Sequence, residues 1–395
     1  MNNPIIIIGA NLTGLCTALA LSKLNQRSII ADCKALTLDN KVKDGRAIAI
    51  SAGSKQILET IGIWDKLSNS AGKIEQIRVT DQLSPLFLHF NKNETLGYLL
   101  ESDEIINVIY KQLLNDSNVT ILAETNYELV ENNYDFVDIK LNKEIHRGKL
   151  LIAADGKFSN LRKLCNISYI HHHYEQSAIV CKVKHQFAHE NIAQEMFLPN
   201  GPFAILPLKD PKHSSIVWTE KPELAQILTK MDKDKFNYFL EQKFTDYLGE
   251  VELISEVASF PLELILAEKY YHNRIMLIGD SAHSIHPIAG QGFNLALRDI
   301  AAMMDLYTKY KDLGLEFGNS TSLKEYQKLR NGDNLSMAAI TDAINKIFSN
   351  NYFPLNLLRK IGLSSINNIP ALQKFFMEYA MAKRNQPHYK IHSPK

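Results

Sequence analysis

A continuous run of β-branched residues opens the chain, and a helical repeat follows it. Ile5–Ile8 is an uninterrupted apolar run, which is typical of a strand buried on both faces of a parallel sheet. Gly9 permits a tight turn, and apolar residues then recur at helical spacing through residues 12–24. A second apolar strand at 28–31 is followed by Asp32. The pattern therefore predicts a βαβ unit at this end of the chain.

The middle of the chain mixes helical and strand-like patterns, and its later part changes in character. Residues 52–67 and 103–114 predict helices, whereas the apolar residues 149–154 predict a strand that ends at Asp155. Between residues 175 and 262 the pattern becomes strand-rich and antiparallel in character. The other predicted elements are strand-like pieces at 74–79 and 86–90, meander strands at 119–122, 127–131 and 136–141, and helices at 222–247, 293–309 and most of 322–386.

Composition narrows the class of protein without naming its chemistry. The 395 residues are 45% hydrophobic and 22% charged, which is ordinary for a globular protein of two or three structural units. The formal net charge of +1 gives no field that would favour nucleic acid, and we expect none as a partner. The scattered cysteines and the absence of an apolar run of about 20 residues predict a cytoplasmic chain without disulfides or a membrane span.

The segment after residue 273 carries the strongest chemical signal. An apolar strand there is followed by Asp280, whose carboxylate can accept hydrogen bonds from a chain of hydroxyl groups. Gly290 and Gly292 precede a helix and let backbone N–H groups approach an electron-accepting ring closely. A flavin has both parts, a hydroxyl-bearing ribityl chain and a ring that gains negative charge when reduced. The candidate residues are Gly279, Asp280, Pro287, Gly290, Gln291, Gly292, Phe293 and Asn294.

The turn after the first strand matches the dinucleotide-binding pattern G-x-G-x-x-G, with Asn11 in place of the second glycine. Asparagine tolerates left-handed backbone geometry better than most residues, so we expect the turn to form, although the side chain crowds the phosphate. Asp32 follows Gly9 by 23 positions, close to the ~20 expected for a carboxylate that binds ribose. A plain strand–helix turn is the alternative. The candidate residues are Gly9, Asn11, Leu12, Thr13, Gly14 and Asp32.

Two further patterns accompany these segments. Asp155 and Gly156 begin a D-G-x-x-S-x-x-R pattern after an apolar strand. The alternative here is a type I turn in which Ser159 caps a helix. A segment at residues 44–50, Asp-Gly-Arg-Ala-Ile-Ala-Ile, contains Arg46 and precedes a helix that ends in Gly-Ile-Trp at 62–64. A surface salt bridge is the alternative role of Arg46.

In this order, the patterns resemble the FAD-dependent hydroxylases of ubiquinone biosynthesis, a branch of the aromatic-ring flavoprotein monooxygenases. The resemblance covers essentially the whole chain. It implies that Asp280 binds the ribityl hydroxyls and that residues 287–292 lie along the isoalloxazine ring. It also implies that Asp155 and Gly156 lie near the dinucleotide and that Arg46 reaches the flavin region.

The resemblance also implies an activity. In this family FAD, reduced by NAD(P)H or another reductant, reacts with O2 to give a C4a-hydroperoxide that hydroxylates the aromatic ring of a polyprenyl phenol. The expected partners are a polyprenyl phenol or quinol lipid, other ubiquinone-biosynthesis proteins and a membrane surface. The expected location is the cytoplasm, peripherally associated with the inner membrane. The alternative is a non-catalytic flavin- or lipid-binding scaffold of the biosynthetic complex.

The expected architecture is an α/β fold with an α+β substrate domain. A Rossmann-like FAD-binding domain would comprise residues 1–73, 101–172 and 266–320. A mainly antiparallel substrate domain would comprise 74–100 and 173–265. Residues 321–395 would form a helical C-terminal region.

The histidines are the remaining candidates for chemistry. His286 lies beside the glycine-rich loop and is the candidate catalytic residue, assisting proton movement, whereas His283 is interpreted as structural. The three histidines at 171–173 look metal-like, but without nearby partners in the sequence they are interpreted as an exposed linker. No metal site is predicted.

Apolar side chains in the substrate domain have two possible roles. They could line an apolar channel for a prenyl tail, or they could pack in the core of the antiparallel sheet. The residues in question are Phe197, Phe203, Ile205, Leu206 and Trp218. The helical tail at 370–385 offers a similar choice between a membrane-facing surface and core packing, and its apolar residues are Leu372, Phe375, Phe376 and Tyr379.

Overall fold

The computed structural model describes residues 3–36, 45–81, 87–91, 95–244 and 247–348. The strands are β1 (Ile5–Ile8), β2 (Ser28–Ala31), β3 (Ala47–Ser51), β4 (Gly72–Ile74), β5 (Gln76–Asp81), β6 (Phe87–Asn91), β7 (Gly97–Glu101), β8 (Val119–Leu122), β9 (Tyr127–Asn132), β10 (Val137–Leu141), β11 (Glu144–Gly148), β12 (Leu150–Ala153), β13 (Tyr169–His185), β14 (Ile192–Leu198), β15 (Gly201–Pro207), β16 (His213–Glu220), β17 (Val251–Leu253), β18 (Ala258–Ala267), β19 (Tyr271–His272), β20 (Ile275–Leu277) and β21 (His283–Ser284). The α-helices are α1 (Leu12–Lys23), α2 (Ala52–Thr60), α3 (Trp64–Leu67), α4 (Ser102–Leu113), α5 (Asn160–Leu164), α6 (Pro222–Thr229), α7 (Lys233–Glu241), α8 (Gln291–Asp312) and α9 (Ser320–Phe348).

A mainly parallel sheet forms the first layer, and its strand order is β19-β20-β12-β1-β2-β8, with only the β19–β20 pair antiparallel. The predicted βαβ unit is confirmed, because β1 pairs in parallel with both β2 and β12. All four residues of β1 are buried, as the continuous apolar run predicts. Helix α1 packs against α4 and α8 in the same core. The prediction of a Rossmann-like domain is therefore confirmed.

One predicted strand belongs to a different sheet. Residues 119–122 were expected to form a meander with the two strands that follow, but β8 pairs in parallel with β2 at the edge of the first sheet. The actual meander is β9-β10-β11. It contributes Val137 and Ile139 to the core of the parallel sheet.

The second large sheet is mainly antiparallel, as predicted, and has the order β21-β18-β13-β16-β15-β14-β5-β6, with β17 pairing to β13. Helices α6 and α7 cover one of its faces. Its longest strand, β13, includes residues 171–173, so the expectation of a linker there is wrong. A smaller sheet, β3-β7-β4, contributes to the wall of the cavity described below.

Helices α8 and α9 pack against each other after the last strand, which confirms the expected C-terminal helical segment. The tail residues 370–385 lie outside the described residues, as does Asp44. Among the described helices, none combines the length and the apolar composition that crossing a bilayer requires.

Candidate active site

A cavity of about 1010 Å³ separates the parallel-sheet domain from the antiparallel sheet. It brings together most of the residues that the sequence singled out, although four separate segments of the chain supply them. The predicted residues that line it are Asn11, Leu12, Thr13, Arg46, Gly156, Asp280, Pro287, Gly290, Gln291, Gly292, Phe293 and Asn294. Gly9, Gly14, Asp32, Asp155, Gly279 and His286 are not part of its wall.

The glycines of the first turn act through close packing of the backbone. Gly9 has a φ of +102°, and a Cβ atom on it would lie 2.3 Å from the carbonyl oxygen of Ala154. A Cβ atom on Gly14 would lie 1.8 Å from the carbonyl oxygen of Gly9. Both positions therefore require glycine, because helix α1 packs so closely against strands β1 and β12 that no side chain fits there.

Asn11 caps the helix in a geometry that differs from the expected one. Its φ is −93°, in the extended region, so the expectation of a left-handed backbone is wrong. The side-chain Oδ1 accepts a hydrogen bond of 2.7 Å from the backbone N–H of Leu12. Asparagine is among the preferred residues at a helix N-cap, which explains why it is tolerated here. The N-terminus of α1, with its partial positive charge, thus faces the cavity.

We expect the residue at position 11 to affect the affinity for FAD mainly through its charge. Asn11→Gly should keep FAD affinity within about threefold of wild type or improve it, because glycine at an N-cap costs only a few tenths of a kcal/mol. Asn11→Asp should lower the affinity about tenfold or more, because it places a negative charge where the pyrophosphate approaches the helix. Flavin fluorescence titration measures both. A marked loss of affinity in Asn11→Gly would mean that the asparagine side chain itself binds phosphate.

Asp32 holds the turn from the neighbouring strand. Its Oδ2 accepts a hydrogen bond of 2.7 Å from the backbone N–H of Ala10, and its Oδ1 accepts one of 2.9 Å from that of Lys34. The carboxylate therefore fixes the glycine-rich turn. Its predicted contact with ribose stays a prediction.

The Asp155-Gly156 turn is tied to the loop that carries Asp280. Asp155 Oδ2 accepts hydrogen bonds from the backbone N–H groups of the first residues of α5, at 2.9 and 3.2 Å. Ser159 caps the same helix, as one interpretation of the sequence proposed. The buried Arg162 donates to the carbonyl oxygen of Ser281 at 2.7 Å. Gly156 has a φ of +81° and open space where a Cβ atom would be, so a ligand can approach its backbone.

Asp280 presents an acidic group to the cavity. Its side chain is exposed at the cavity, but protein atoms around the loop limit its solvation and raise the pKa of its carboxyl, a rise that the nearby charges of His283, Arg46 and Lys157 oppose. Among the described residues its side chain has no hydrogen-bond partner, so the carboxylate oxygens can accept from a ligand. Gly279 precedes it with a φ of +61°, which gives the loop its sharp bend.

The start of helix α8 forms the opposite wall. Its N-cap, Gly290, has a left-handed backbone (φ 59°) and no capping side chain. A Cβ atom on Gly292 would meet nothing within 4 Å, so the first backbone N–H groups are accessible from the cavity. Asn294 bonds to protein, because its amide donates to the carbonyl oxygens of Ala49 and Gly290 at 2.8 Å. It therefore positions the helix start.

These features fit FAD. Two glycines leave space for a flat ring or a phosphate, and two helix N-termini face the cavity with their partial positive charge. Asp280 offers carboxylate oxygens at the cavity wall that suit ribityl hydroxyls, whereas the contact itself stays a prediction. Arg46 lies in the same wall, with its guanidinium 5.3 Å from the centre of the Phe260 ring.

A buried ionic network behind the Asp280 loop was not predicted as a unit. Asp299 Oδ2 accepts from the backbone N–H of Gly279 at 3.0 Å and lies 2.6 Å from His283 Nε2. Arg330 Nε donates to Asp299 Oδ1 at 2.6 Å and another of its nitrogens to Asp333 at 2.6 Å. Burial alone would raise the pKa of Asp299, but His283 and Arg330 hold it well below the usual range. Nothing in the sequence pattern joined Arg330 and Asp333 to Asp299.

His286 lies behind the cavity wall. Its ring is fully buried, packs edge-on against Tyr174, and places Nε2 3.3 Å from Gln176 Oε1. Burial lowers the pKa of His286 to about 4, although Asp342 opposes the shift. The residue is thus uncharged near neutral pH, and the structure does not bring it to the cavity. Its role in proton movement stays a prediction.

The depressed pKa predicts an effect on stability. The unfolded chain protonates His286 near pH 6.5, whereas the folded chain does so near 4, so the folded state loses stability as the pH falls through this window. The expected contribution is about 3 kcal/mol. In urea unfolding, His286→Gln should therefore lose less stability than wild type between pH 6.5 and 4. If the free energy of unfolding of His286→Gln changed with pH as that of wild type does, the lowered pKa assigned to His286 would be wrong.

The far half of the cavity is apolar, and strand alternation decides which side chains face it. Phe197 and Leu206 line the cavity, whereas their contact with a prenyl tail stays a prediction. Phe203, Ile205 and Trp218 lie on the opposite face of the sheet, in the core with α6 and α7. From helix α9 the cavity receives Thr341, Ile344, Ile347 and Phe348.

Comparison with known proteins agrees with this geometry. Residues 2–331 match the FAD binding domain family. The ubiquinone hydroxylase UbiL of Rhodospirillum rubrum is 37% identical over 95% of this chain and 89% of its own length. The human mitochondrial ubiquinone biosynthesis monooxygenase COQ6 is 29% identical over 95% of this chain and 92% of its own.

Solved structures show the same fold. The p-nitrophenol 4-monooxygenase PnpA of Pseudomonas putida superposes with a TM-score of 0.80 at 16% identity, and the match covers 96% of this chain and 98% of that one. The chain therefore belongs to the FAD-binding monooxygenase family and, within it, to the ubiquinone-biosynthesis hydroxylases.

Proposed function

We propose that the protein hydroxylates the aromatic ring of a polyprenyl-substituted phenol in ubiquinone biosynthesis, with FAD as its resident cofactor. The observation that carries the proposal is that a single cavity connects the expected flavin site with an apolar region. Its near end holds Asp280 and the start of α8, and its far end is lined by apolar side chains from the antiparallel sheet and α9. A ring and its tail could thus be held in one space.

Bound FAD, once reduced, supplies the activation of O2 and the transfer of one oxygen atom to an electron-rich ring. The chain's own residues would bind the FAD and orient it. Asp280 would accept hydrogen bonds from the ribityl hydroxyls. The N-terminal N–H groups of α8 would stabilise negative charge on the reduced ring. The apolar wall excludes water, which protects a reactive oxygen species from side reactions.

The apolar half of the cavity favours a prenylated substrate. The side chains that form it include Ile74, Ile77, Val79, Leu96, Val180, Phe197, Leu206, Val217 and Phe348. Phe197 and Phe348 stack with their ring centres 4.4 Å apart, at the side of the cavity where α9 joins it. Burying a five-carbon prenyl unit contributes up to about 4 kcal/mol of transfer free energy.

The reductant, the partners and the location belong to the same proposal. NAD(P)H or another reductant would reduce the flavin, and no second dinucleotide pattern in the sequence provides a separate domain for it. A lipid substrate supports peripheral association with the inner membrane and contact with other ubiquinone-biosynthesis proteins. Salt-washable recovery from membranes after cell fractionation tests the association.

A substrate comparison tests the proposal. We expect kcat/KM for a prenylated phenol to exceed that for the matched unprenylated hydroxybenzoate by at least about 100-fold, from the burial of the tail. Ala204→Phe, which narrows the apolar half, should remove most of that difference. The same substitution at the exposed Ala188 is the control and should change neither value.

Two outcomes would contradict the proposal. Equal efficiency for both substrates would overturn the assignment of a lipid substrate. Purified protein that takes up no FAD, or binds it and turns over neither substrate, would instead support the non-catalytic scaffold.

A further inference from the structure

Two histidines and a glutamate meet on the antiparallel sheet, at the edge of the cavity wall. His171 and His173 lie two residues apart on β13 and therefore share one face of the strand. Glu263 lies on β18, where the register pairs it directly with His173. His171 Nε2 is 3.2 Å from Glu263 Oε2, and His173 Nδ1 is 3.6 Å from Glu263 Oε1. The sequence shows only the histidines, because strand pairing supplies the carboxylate.

The spacing of these atoms matches that of ligands around one metal ion. One possible ligand atom from each residue can be chosen so that all three lie within 4.8 Å of one another. In a tetrahedral site with metal–ligand bonds of about 2.0–2.1 Å, neighbouring ligand atoms lie roughly 3.3 Å apart. The distances from His171 Nε2 and His173 Nδ1 to the Glu263 carboxylate, 3.2 and 3.6 Å, bracket this value. Small rotations of the imidazole rings would bring both nitrogens and one carboxylate oxygen to bonding distance.

The burial of the carboxylate also suits a cation here. The Glu263 side chain is 7% exposed, whereas those of His171 and His173 are 31% and 65% exposed. A carboxylate thus forms the floor of the cluster, and two imidazoles form a rim open to solvent. The cation nearest to the carboxylate in the described part of the chain is Lys157, whose Nζ is 3.9 Å from Glu263 Oε2 and also donates to the carbonyl oxygen of Pro261.

We propose that His171, His173 and Glu263 form a binding site for a divalent transition metal of the Zn²⁺ type. Two imidazoles with one carboxylate suit Zn²⁺, Cu²⁺ or Ni²⁺, whereas Mg²⁺ and Ca²⁺ prefer sites made of oxygen ligands. Three protein ligands leave a fourth position, which faces solvent and would take water.

The position of the site indicates what the ion would do. It would join β13 to β18 next to the register shift between His173 and Ser177. Glu263 and Lys157 also line the cavity, so the ion would brace part of the cavity wall. We therefore expect metal binding to raise the thermal stability of the FAD-loaded protein, without the ion taking part in oxygen transfer.

Zn²⁺ titration of the full-length, FAD-loaded protein after chelator treatment tests the site. We expect one equivalent of Zn²⁺ to bind, with no comparable binding of Mg²⁺. His171→Ala and His173→Ala should each weaken Zn²⁺ binding at least about tenfold, because each removes one of three ligands. X-ray absorption should show two imidazole nitrogens and a carboxylate oxygen at about 2.0–2.2 Å.

His172→Ala is the matched control. His172 lies between the two proposed ligands but on the other face of the strand, where its ring packs edge-on against Tyr174, 5.0 Å away. It should leave Zn²⁺ binding unchanged. Glu263→Gln tests whether the carboxylate contributes to Zn²⁺ binding. The FAD absorption spectrum and the circular dichroism of this variant show whether it is folded.

Zn²⁺ binding by the histidine variants decides whether the site exists. Loss of binding in folded His171→Ala and His173→Ala, with retention in His172→Ala, supports the site. The proposal is overturned if Zn²⁺ does not bind, if His172→Ala weakens binding as much as its neighbours do, or if binding survives removal of both proposed histidines.

Discussion

Asp280→Ala is expected to lower the affinity for FAD by about 100-fold or more. The carboxylate faces the cavity without a partner among the described residues, and in the complex it would accept hydrogen bonds from ribityl hydroxyls. Hydrogen bonds to a charged group contribute about 1.5–3 kcal/mol each, so the loss of two corresponds to at least a 100-fold change. Equilibrium dialysis of the flavin-stripped protein measures the effect.

Two variants control this experiment. Asp280→Asn keeps the size of the side chain and should lie between alanine and wild type, because it retains one acceptor oxygen. Glu268→Ala removes an exposed carboxylate from the neighbouring part of the chain and should leave the affinity unchanged. If Asp280→Ala binds FAD as tightly as wild type, the place assigned to the ribityl chain is wrong.

Arg330→Met is expected to destabilise the protein by about 3–5 kcal/mol. Arg330 is fully buried and bonds to Asp299 and Asp333, so its loss leaves carboxylates buried without compensation. FAD affinity should fall as well, because Asp299 also holds the backbone N–H of Gly279. Urea unfolding of the flavin-stripped protein separates the loss of stability from the loss of ligand.

An exposed ion pair provides the comparison. Lys309 Nζ lies 2.6 Å from Glu325 Oε1, but Lys309 is half exposed, and Lys309→Ala should cost less than about 1 kcal/mol. Near-equal stabilities of Arg330→Met and Lys309→Ala would show that the buried network contributes no more than a surface pair.

Local patterns predicted the elements that depend on neighbours in the chain. The apolar run of Ile5–Ile8 identified a strand buried on both faces, and the helix around Asp103 was recovered as α4. The glycine-rich motifs predicted segments that meet at one cavity, although Gly9 and Gly14 serve the packing of backbone against backbone and do not line it. Asn11 shows the limit, since its residue type suited both a left-handed turn and an N-cap and only the backbone decided between them.

Long-range pairing explains what the sequence did not reveal. The apolar pattern of residues 119–122 fits a strand in a meander as well as a strand in a parallel sheet. Only the pairing of β8 with β2 shows that this strand belongs to the parallel sheet. Phe203 and Leu206 are both apolar, but the register of β15 turns one to the core and the other to the cavity. The Asp299 network and the His171–Glu263 contact likewise join residues whose spacing in the chain carries no signal.

The most direct test of the proposed activity is a single turnover with labelled oxygen. The FAD-loaded protein would be photoreduced without air, which removes any dependence on the natural reductant, and then mixed with a prenylated phenol and ¹⁸O2. We predict a ring-hydroxylated product that carries one ¹⁸O atom in the new hydroxyl group. A product whose new oxygen comes from water, or reoxidation of the flavin without any hydroxylated product, would contradict the account.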